Sequence, residues 1–246
     1  MEEELEREVR LYRQKSQGKL NVKSEVPKGE NSTMVSESES LLLKAVKNQD
    51  LQSVEKLLKE ENIDPNSPNN QPFMYSLRYS LDRISILFAK DSRTEVSFRD
   101  NFALHTAIND LDIQLIKLLL DHPKFQDLDG FALIQGAVAT DNYEIIDLLL
   151  DDDRIYFMDP DNRLLRAAII NKNLDIIKRL LSDRRIHPGN NDDVILNRGV
   201  LTKDVEIVKT LLDDARISPR GISRSVLCTA KDIDEKEITA ILESLY

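Results

Sequence analysis

The side chains best suited to chemistry in this sequence are three histidines and a single cysteine: His105, His122, His187 and Cys228. A thiol beside an imidazole could act as a nucleophile, and histidines at short spacing could hold a zinc ion. No histidine lies near Cys228 in the sequence to activate it, and His122 and His187 fall in loops without a partner at metal-ligand spacing. We therefore expect no catalysis, no metal and no other cofactor, with Cys228 a structural or partly exposed free thiol.

Acidic clusters are the second candidate for chemistry, at residues 151–153, 192–193 and 213–214. A calcium loop needs oxygen ligands at its first, third and fifth positions and a glycine at its sixth. Counting from Asp151, the fifth position is Ile155, and no glycine follows. Solvated loop carboxylates are the favoured interpretation, a docking rim for a basic partner is the alternative, and a divalent-cation site fits least.

Composition narrows the class of protein. The 246 residues carry a net charge of -10, which argues against nucleic-acid binding. Apolar runs fall far short of the roughly 20 residues that span a membrane, and glutamates crowd the first stretch, where a secretory signal would be apolar. We expect an intracellular monomer without membrane contact, in the cytoplasm, with the nucleus left open.

Residues 1–39 differ from the rest of the chain. They are mostly polar and lack a hydrophobic period, which predicts a flexible arm with a possible short helix at 3–15. A solvated tail is the simplest interpretation. A binding motif for a partner, or phosphorylation around Ser36, Ser38 and Ser40, is the alternative.

From Ser40 onward the sequence repeats about every 31 residues, which is the dominant signal for fold. A small residue recurs in each repeat, with a bulky apolar residue three positions before it and another twelve positions after it. The small residues are Ala45, Ser76, Ala107, Ala137, Ala168, Gly199 and Ala230; the bulky residues before them are Leu42, Phe73, Leu104, Ile134, Leu165, Leu196 and Leu227; those after them are Leu57, Phe88, Leu119, Leu149, Leu180, Leu211 and Leu242. Three columns in register over seven repeats predict a core shared between neighbouring repeats.

Each repeat has the pattern of two short helices. In the clearest one, 164–171 and 174–181 show helical periodicity around a polar corner at 171–173, and a loop rich in Asp, Asn and Pro follows. We predict an all-α solenoid of seven helix-turn-helix repeats within a domain at 40–246, bounded near 40–70, 71–101, 102–130, 131–162, 163–193, 194–223 and 224–246. His105 shares its repeat position with Leu43, Met74, Gln135, Arg166, Asn197 and Cys228, so a structural, hydrogen-bonded role is expected for it.

These residues resemble the ankyrin repeat family. Residues 102–107 read Phe-Ala-Leu-His-Thr-Ala, similar to the first half of the ankyrin pattern, and 173–181 read Asn-Leu-Asp-Ile-Ile-Lys-Arg-Leu-Leu, similar to the second. The period is shorter than the family's repeat of about 33, and the glycine of the family's loop is missing. The resemblance therefore implies an ankyrin solenoid with shortened hairpin loops and the first helices on its concave side.

Two places stand out as candidate partner-binding sites. Repeat two carries Tyr75, Arg78 and Tyr79 in its first helix and Arg83 in the corner, and Tyr75 and Tyr79 share a helix face. Tyrosine and arginine are enriched where partner proteins bind, although simple repacking of this repeat is the alternative. The loop at 156–158 brings Tyr156 and Phe157 before Met158, either as an exposed contact patch or folded inward as a small core.

The functional interpretation is a non-catalytic protein-protein interaction module, an adaptor, scaffold or competitor with a partner protein on its concave surface. The alternative is a regulatory or inhibitory protein whose arm carries the activity while the repeats form a rigid docking platform. Self-assembly is a third possibility, and the sequence itself does not identify the partner.

Overall fold

The computed structural model describes residues 40–126, 128–188, 192–217 and 224–245, with side chains omitted at 192 and 193. The predicted arm and its helix at 3–15 lie outside these residues. Within them the protein is all-α, with 14 helices and two very short strands. In chain order they are α1 Leu41–Lys47, α2 Leu51–Leu58, α3 Gln71–Arg78, α4 Asp82–Lys90, α5 Phe98–Asn109, α6 Ile113–Leu120, β1 Leu128–Asp129, α7 Phe131–Thr140, α8 Tyr143–Asp151, β2 Ile155–Tyr156, α9 Arg163–Asn171, α10 Leu174–Ser182, α11 Asp192–Leu201, α12 Val205–Leu212, α13 Arg224–Asp232 and α14 Lys236–Glu243.

The helix pairs confirm the predicted helix-turn-helix pattern, and their corners share one backbone conformation. In all seven repeats the residue four positions after the small one has a left-handed φ: Gln49, Ser80, Leu111, Asp141, Lys172, Lys203 and Asp234. In five repeats the next residue caps the second helix by accepting a backbone N–H: Asp50, Asp112, Asn142, Asn173 and Asp204. The corner therefore ends one helix and starts the next within three or four residues.

The predicted core columns are buried. All seven small residues are inaccessible, from Ala45 to Ala230, and so are the bulky residues of both columns with two exceptions. Leu57 and Leu227, in the first and last repeats of the described chain, are half-buried. Helix stacking explains the burial, because the small residue admits a neighbouring helix at close range. At Gly199 a methyl group would already stand 2.6 Å from the Leu211 Cδ1 atom.

The described chain divides into two compact blocks, an N-terminal block of residues 40–126 and a C-terminal block of residues 128–245. In the N-terminal block, α1 packs on α3 and α3 on α5, while α2 packs on α4 and α4 on α6. The C-terminal block repeats this scheme, with first helices α7, α9, α11 and α13 in one row and second helices α8, α10, α12 and α14 in the other. Each block is thus a repeat-like layer of first helices against a layer of second helices.

The loops are tied to one another by an Asp-x-Arg motif that the sequence analysis did not single out. The four copies that form the same ion pair lie at 91–93, 152–154, 183–185 and 214–216. In each copy the arginine Nε donates to the aspartate Oδ1 at 2.9 Å and Nη2 donates to Oδ2 at 2.6 Å. Arg185 also donates to the Leu150 and Ile155 carbonyls of the preceding repeat, at 2.6 and 2.7 Å. The guanidinium therefore satisfies one carbonyl at the end of α8, which has no intrahelical partner, and one in the strand β2 that follows.

The carbonyl contacts recur in two other copies of the motif, and in all four copies the arginine lowers the pKa of its aspartate. Arg93 donates to the Leu58, Glu60 and Ile63 carbonyls, and Arg216 donates to those of Leu181 and Ile186. Burial alone would raise the carboxyl pKa of Asp91, Asp152 and Asp183, but their hydrogen bonds and charge attraction to the arginine outweigh it and hold the pKa below its usual range. The pKa of Asp214 is lowered chiefly by its hydrogen bond from Arg216.

Two of the short loops also pair through backbone hydrogen bonds. Leu128 pairs with Ile155 and Asp129 with Tyr156 in a two-residue parallel bridge, extended by a hydrogen bond from the Gly130 N–H to the Tyr156 carbonyl at 2.6 Å. Gly130 is required here because a methyl group on it would overlap the Ile155 side chain.

Candidate protein-binding groove

Residues from the first helices of repeats one and two, and from the loops beside them, line an open groove of about 390 Å³, which we call the tyrosine groove. Its lining residues are Leu43, Lys47, Asn69, Gln71, Met74, Tyr75, Arg78, Tyr79 and Arg99. All of them belong to the N-terminal block. Three of the six residues predicted to bind a partner, Tyr75, Arg78 and Tyr79, are therefore brought together in one place.

The packing of α3 determines which of its residues face the groove. Phe73, Ser76 and Leu77 are buried, and the Phe73 and Phe88 rings lie 5.6 Å apart. The Ser76 hydroxyl donates to the Phe73 carbonyl at 2.8 Å and accepts from the Ser85 hydroxyl at 2.9 Å. This satisfied pair lets serine take the small-residue position without an unpaired polar group in the core. The opposite face of the helix remains for the groove.

The two tyrosines form a continuous aromatic wall. Their ring centroids are 4.3 Å apart, with the ring planes inclined by 33°. Tyr75 is half-buried and Tyr79, which directly follows α3, is 57% exposed. The predicted shared face is confirmed, and the pair offers apolar area with hydroxyls for hydrogen bonding.

The charged side chains that the described residues contribute to the lining of the groove are positive. They are Lys47, Arg78 and Arg99, and none of the described lining residues is a carboxylate. Arg78 is exposed and has no ion pair with any residue in the described part of the chain. The Arg99 guanidinium lies 5.5 Å from the centre of the Phe98 ring, in a left-handed segment where Arg99 and Asp100 have φ of 50° and 54°. A local positive surface on a protein of net charge -10 favours an anionic ligand.

A second, larger groove of about 470 Å³ lies along the second helices of the same two repeats, but its charges compensate one another. Lys59 pairs with Glu55 at 2.8 Å, and Arg93 pairs with Asp91 at 2.6 Å. Volume alone would rank this groove first. Two of its cations, Lys59 and Arg93, are thus already paired within the protein, whereas Arg78 in the tyrosine groove is not, so the tyrosine groove is the better candidate for binding.

The other predicted site residues lie elsewhere. Arg83 is exposed on α4 and does not line the tyrosine groove. Tyr156 is 58% exposed in the C-terminal block, and Met158 is 81% exposed. Phe157 is only 5% exposed, with the Arg185 guanidinium 4.8 Å from its ring centre. Of the two alternatives for this loop, the inward-folded one holds for Phe157, which the loop arginine covers, and the exposed one holds for Tyr156 and Met158.

The histidines and the cysteine do not converge on a site. Cys228 is exposed and free. His122 is buried, and its ring bridges the Asp91 carbonyl at 3.0 Å and the Lys124 N–H at 3.1 Å. It takes the aspartate position of the Asp-x-Arg motif, with Lys124 in the arginine position. Burial lowers the pKa of His105, whose ring has no hydrogen bond within the described residues, so its predicted hydrogen-bonded role is not seen.

Sequence reasoning missed six of the nine residues that line the groove: Leu43, Lys47, Asn69, Gln71, Met74 and Arg99. Leu43 and Met74 occupy the repeat position of His105, and Lys47 and Arg78 occupy another shared position, two after the small residue. Comparing these two columns between repeats one and two would have added Leu43, Met74 and Lys47 to the predicted site, but not Asn69, Gln71 or Arg99. Arg99 reaches the groove through a left-handed segment that no repeat position signals.

Comparison with family models, curated proteins and solved structures finds no match to this chain. The resemblance to ankyrin repeats therefore rests on the residues alone. In the part of the chain that the structure describes, no helix has the length and apolar character to cross a bilayer. Nor does any group of three histidine, cysteine or carboxylate side chains in the described ranges have the arrangement of a metal site.

Proposed function

We propose that the protein is a non-catalytic binding module of ankyrin-like repeats, an adaptor, scaffold or competitor that holds a partner protein at the tyrosine groove. The observation that carries this proposal is the stacked pair Tyr75 and Tyr79 beside the unpaired cation Arg78. Aromatic and arginine side chains are the residue types that dominate binding energy at protein interfaces. Rigid helices hold them in place, so little entropy is lost when a partner binds.

The arrangement of the first helices supports the same proposal. In the ankyrin architecture the first helices form the concave surface where partners bind, and here α1 and α3 supply most of the groove. The side chains facing the groove differ from those at the same positions of later repeats. Such variation on a constant scaffold is typical of a binding surface.

Affinity capture with the full chain and with a Tyr75→Ala, Tyr79→Ala double variant tests the proposal. The matched control is Tyr143→Ala, which removes a tyrosine that is 44% exposed on α8 and is not among the residues that line the groove. We expect a partner retained by the wild type and the control and lost from the double variant, with equal helix content by circular dichroism. A partner captured equally by all three proteins would refute the site.

A further inference from the structure

The tyrosine groove has an apolar floor made by two equivalent positions. Leu43 on α1 and Met74 on α3 stand 31 residues apart, at the same position of consecutive repeats. Leu43 is 5% exposed and Met74 is half-buried. A leucine and a flexible thioether beside two tyrosine rings form a surface suited to an aliphatic or aromatic side chain.

The repeat position that supplies two cations to the rim of the groove is cationic only in the first two repeats. Lys47 and Arg78 again occupy one repeat position, two residues after the small one. The later repeats place no cation there; their residues are Asn109, Ala139, Ile170, Leu201 and Asp232. Arg99 adds a third cationic side chain beside the apolar floor, and neither Arg78 nor Arg99 has an ion pair among the described residues.

We propose that the tyrosine groove binds an acidic peptide segment of the partner protein, with carboxylates against the cationic rim and an aliphatic or aromatic side chain between the tyrosines and the floor. This inference rests on the proposed function. Arginine donates two parallel hydrogen bonds to a carboxylate, and the neighbouring aromatic faces supply the apolar part of the contact. A basic peptide would meet the like charges of Arg78 and Arg99 at the same place.

Single-stranded nucleic acid is the other ligand class that basic and aromatic side chains attract, and the protein as a whole disfavours it. Its net charge is -10, and a polyanion extending beyond the groove would meet this negative field. A short acidic peptide places its carboxylates only within the groove, where they lie closer to the cations of the rim than to the net negative charge of the rest of the protein.

The test uses the full chain and fluorescein-labelled peptides of about eight residues, with glutamates flanking a central leucine and phenylalanine. Fluorescence anisotropy compares this peptide with one that has lysines in place of the glutamates, and with a single-stranded DNA of about twelve nucleotides. The variant is Arg78→Glu. The control is Arg83→Glu, which makes the same charge change at an exposed arginine outside the groove.

We expect the wild type to bind the acidic peptide more tightly than the basic peptide or the DNA. The Arg78→Glu variant should bind the acidic peptide about tenfold more weakly than the wild type does, and Arg83→Glu with nearly unchanged affinity. Raising the salt concentration should weaken its binding several-fold. Tighter binding of the basic peptide or of the DNA would overturn the proposal, and so would equal effects of the two charge reversals. If these tests fail while partner capture still requires Tyr75 and Tyr79, only the peptide chemistry is wrong. If capture ignores the tyrosines, the proposed function fails by itself.

Discussion

Replacing Arg185 by alanine should strongly destabilise the C-terminal block. Its side chain donates two hydrogen bonds to the Asp183 carboxylate and one each to the Leu150 and Ile155 carbonyls, at 2.6 to 2.9 Å. The Arg185 side chain is 22% exposed and that of Asp183 only 6%. Breaking a buried ion pair costs about 3 to 5 kcal/mol, because the remaining charge stays buried without a partner. Since Arg185 is partly exposed, we expect about 3 kcal/mol.

Urea unfolding followed by circular dichroism measures this loss. With a slope of about 2 kcal/mol per molar urea, the midpoint of the affected transition should fall by about 1.5 M. Arg184→Ala is the matched control, because Arg184 is the adjacent, exposed arginine and has no hydrogen bond among the described residues; it should shift the midpoint by less than about 0.25 M. Arg185→Lys should recover little of the stability lost in Arg185→Ala, since an ammonium group cannot donate the parallel hydrogen bonds of the planar guanidinium group. Equal midpoints for the two alanine variants would refute the role of the motif.

Acid should weaken the same loops, because the aspartates of the motif have a lower pKa in the folded protein than in the unfolded chain. The resulting stabilisation is complete above the unfolded pKa of about 4 and is lost as the pH falls through the folded pKa. The urea midpoint should therefore drop between about pH 5 and about pH 3. A midpoint that is constant over this range would contradict this prediction. Gly130→Ala should destabilise the protein by about 1 to 3 kcal/mol, because the added methyl group overlaps Ile155. Gly136→Ala should stabilise it by about 0.5 to 1 kcal/mol, because a methyl group there meets nothing within 4 Å. Thermal melts of the two variants that shift in the same direction would contradict the packing described at Gly130. Deleting residues 1–39 should leave partner capture intact, because the tyrosine groove is lined by residues from 43 onward; loss of capture would place binding in the arm.

The helices and their core could be predicted because their signal is local and repeated. The column through Ala137 and the polar corner at Asn173 each combine helical periodicity with a spacing of 30 or 31 residues, and both are confirmed. Burial of Phe157 could not be predicted in this way. It depends on Arg185, whose contacts reach 30 and 35 residues back along the chain.

The candidate site was predictable in part for the same reason. Tyr75 and Tyr79 are four residues apart on one helix, so their contact follows from helix geometry alone. Lys47 and Leu43 reach the groove from the preceding repeat, which requires knowing that consecutive first helices pack side by side. Arg83, expected in the corner, lies within α4, the second helix of its repeat, and does not line the groove.

Photo-crosslinking from inside the tyrosine groove tests the central claim most directly. A photoreactive phenylalanine analogue would replace Tyr79 in one full-length protein and Tyr143 in another, since both side chains are exposed, at 57% and 44%. After irradiation in extract of the native cells, we predict a protein adduct from position 79 that is absent from position 143. The same adducts from both positions, or adducts from position 143 alone, would contradict the assignment of partner binding to the groove.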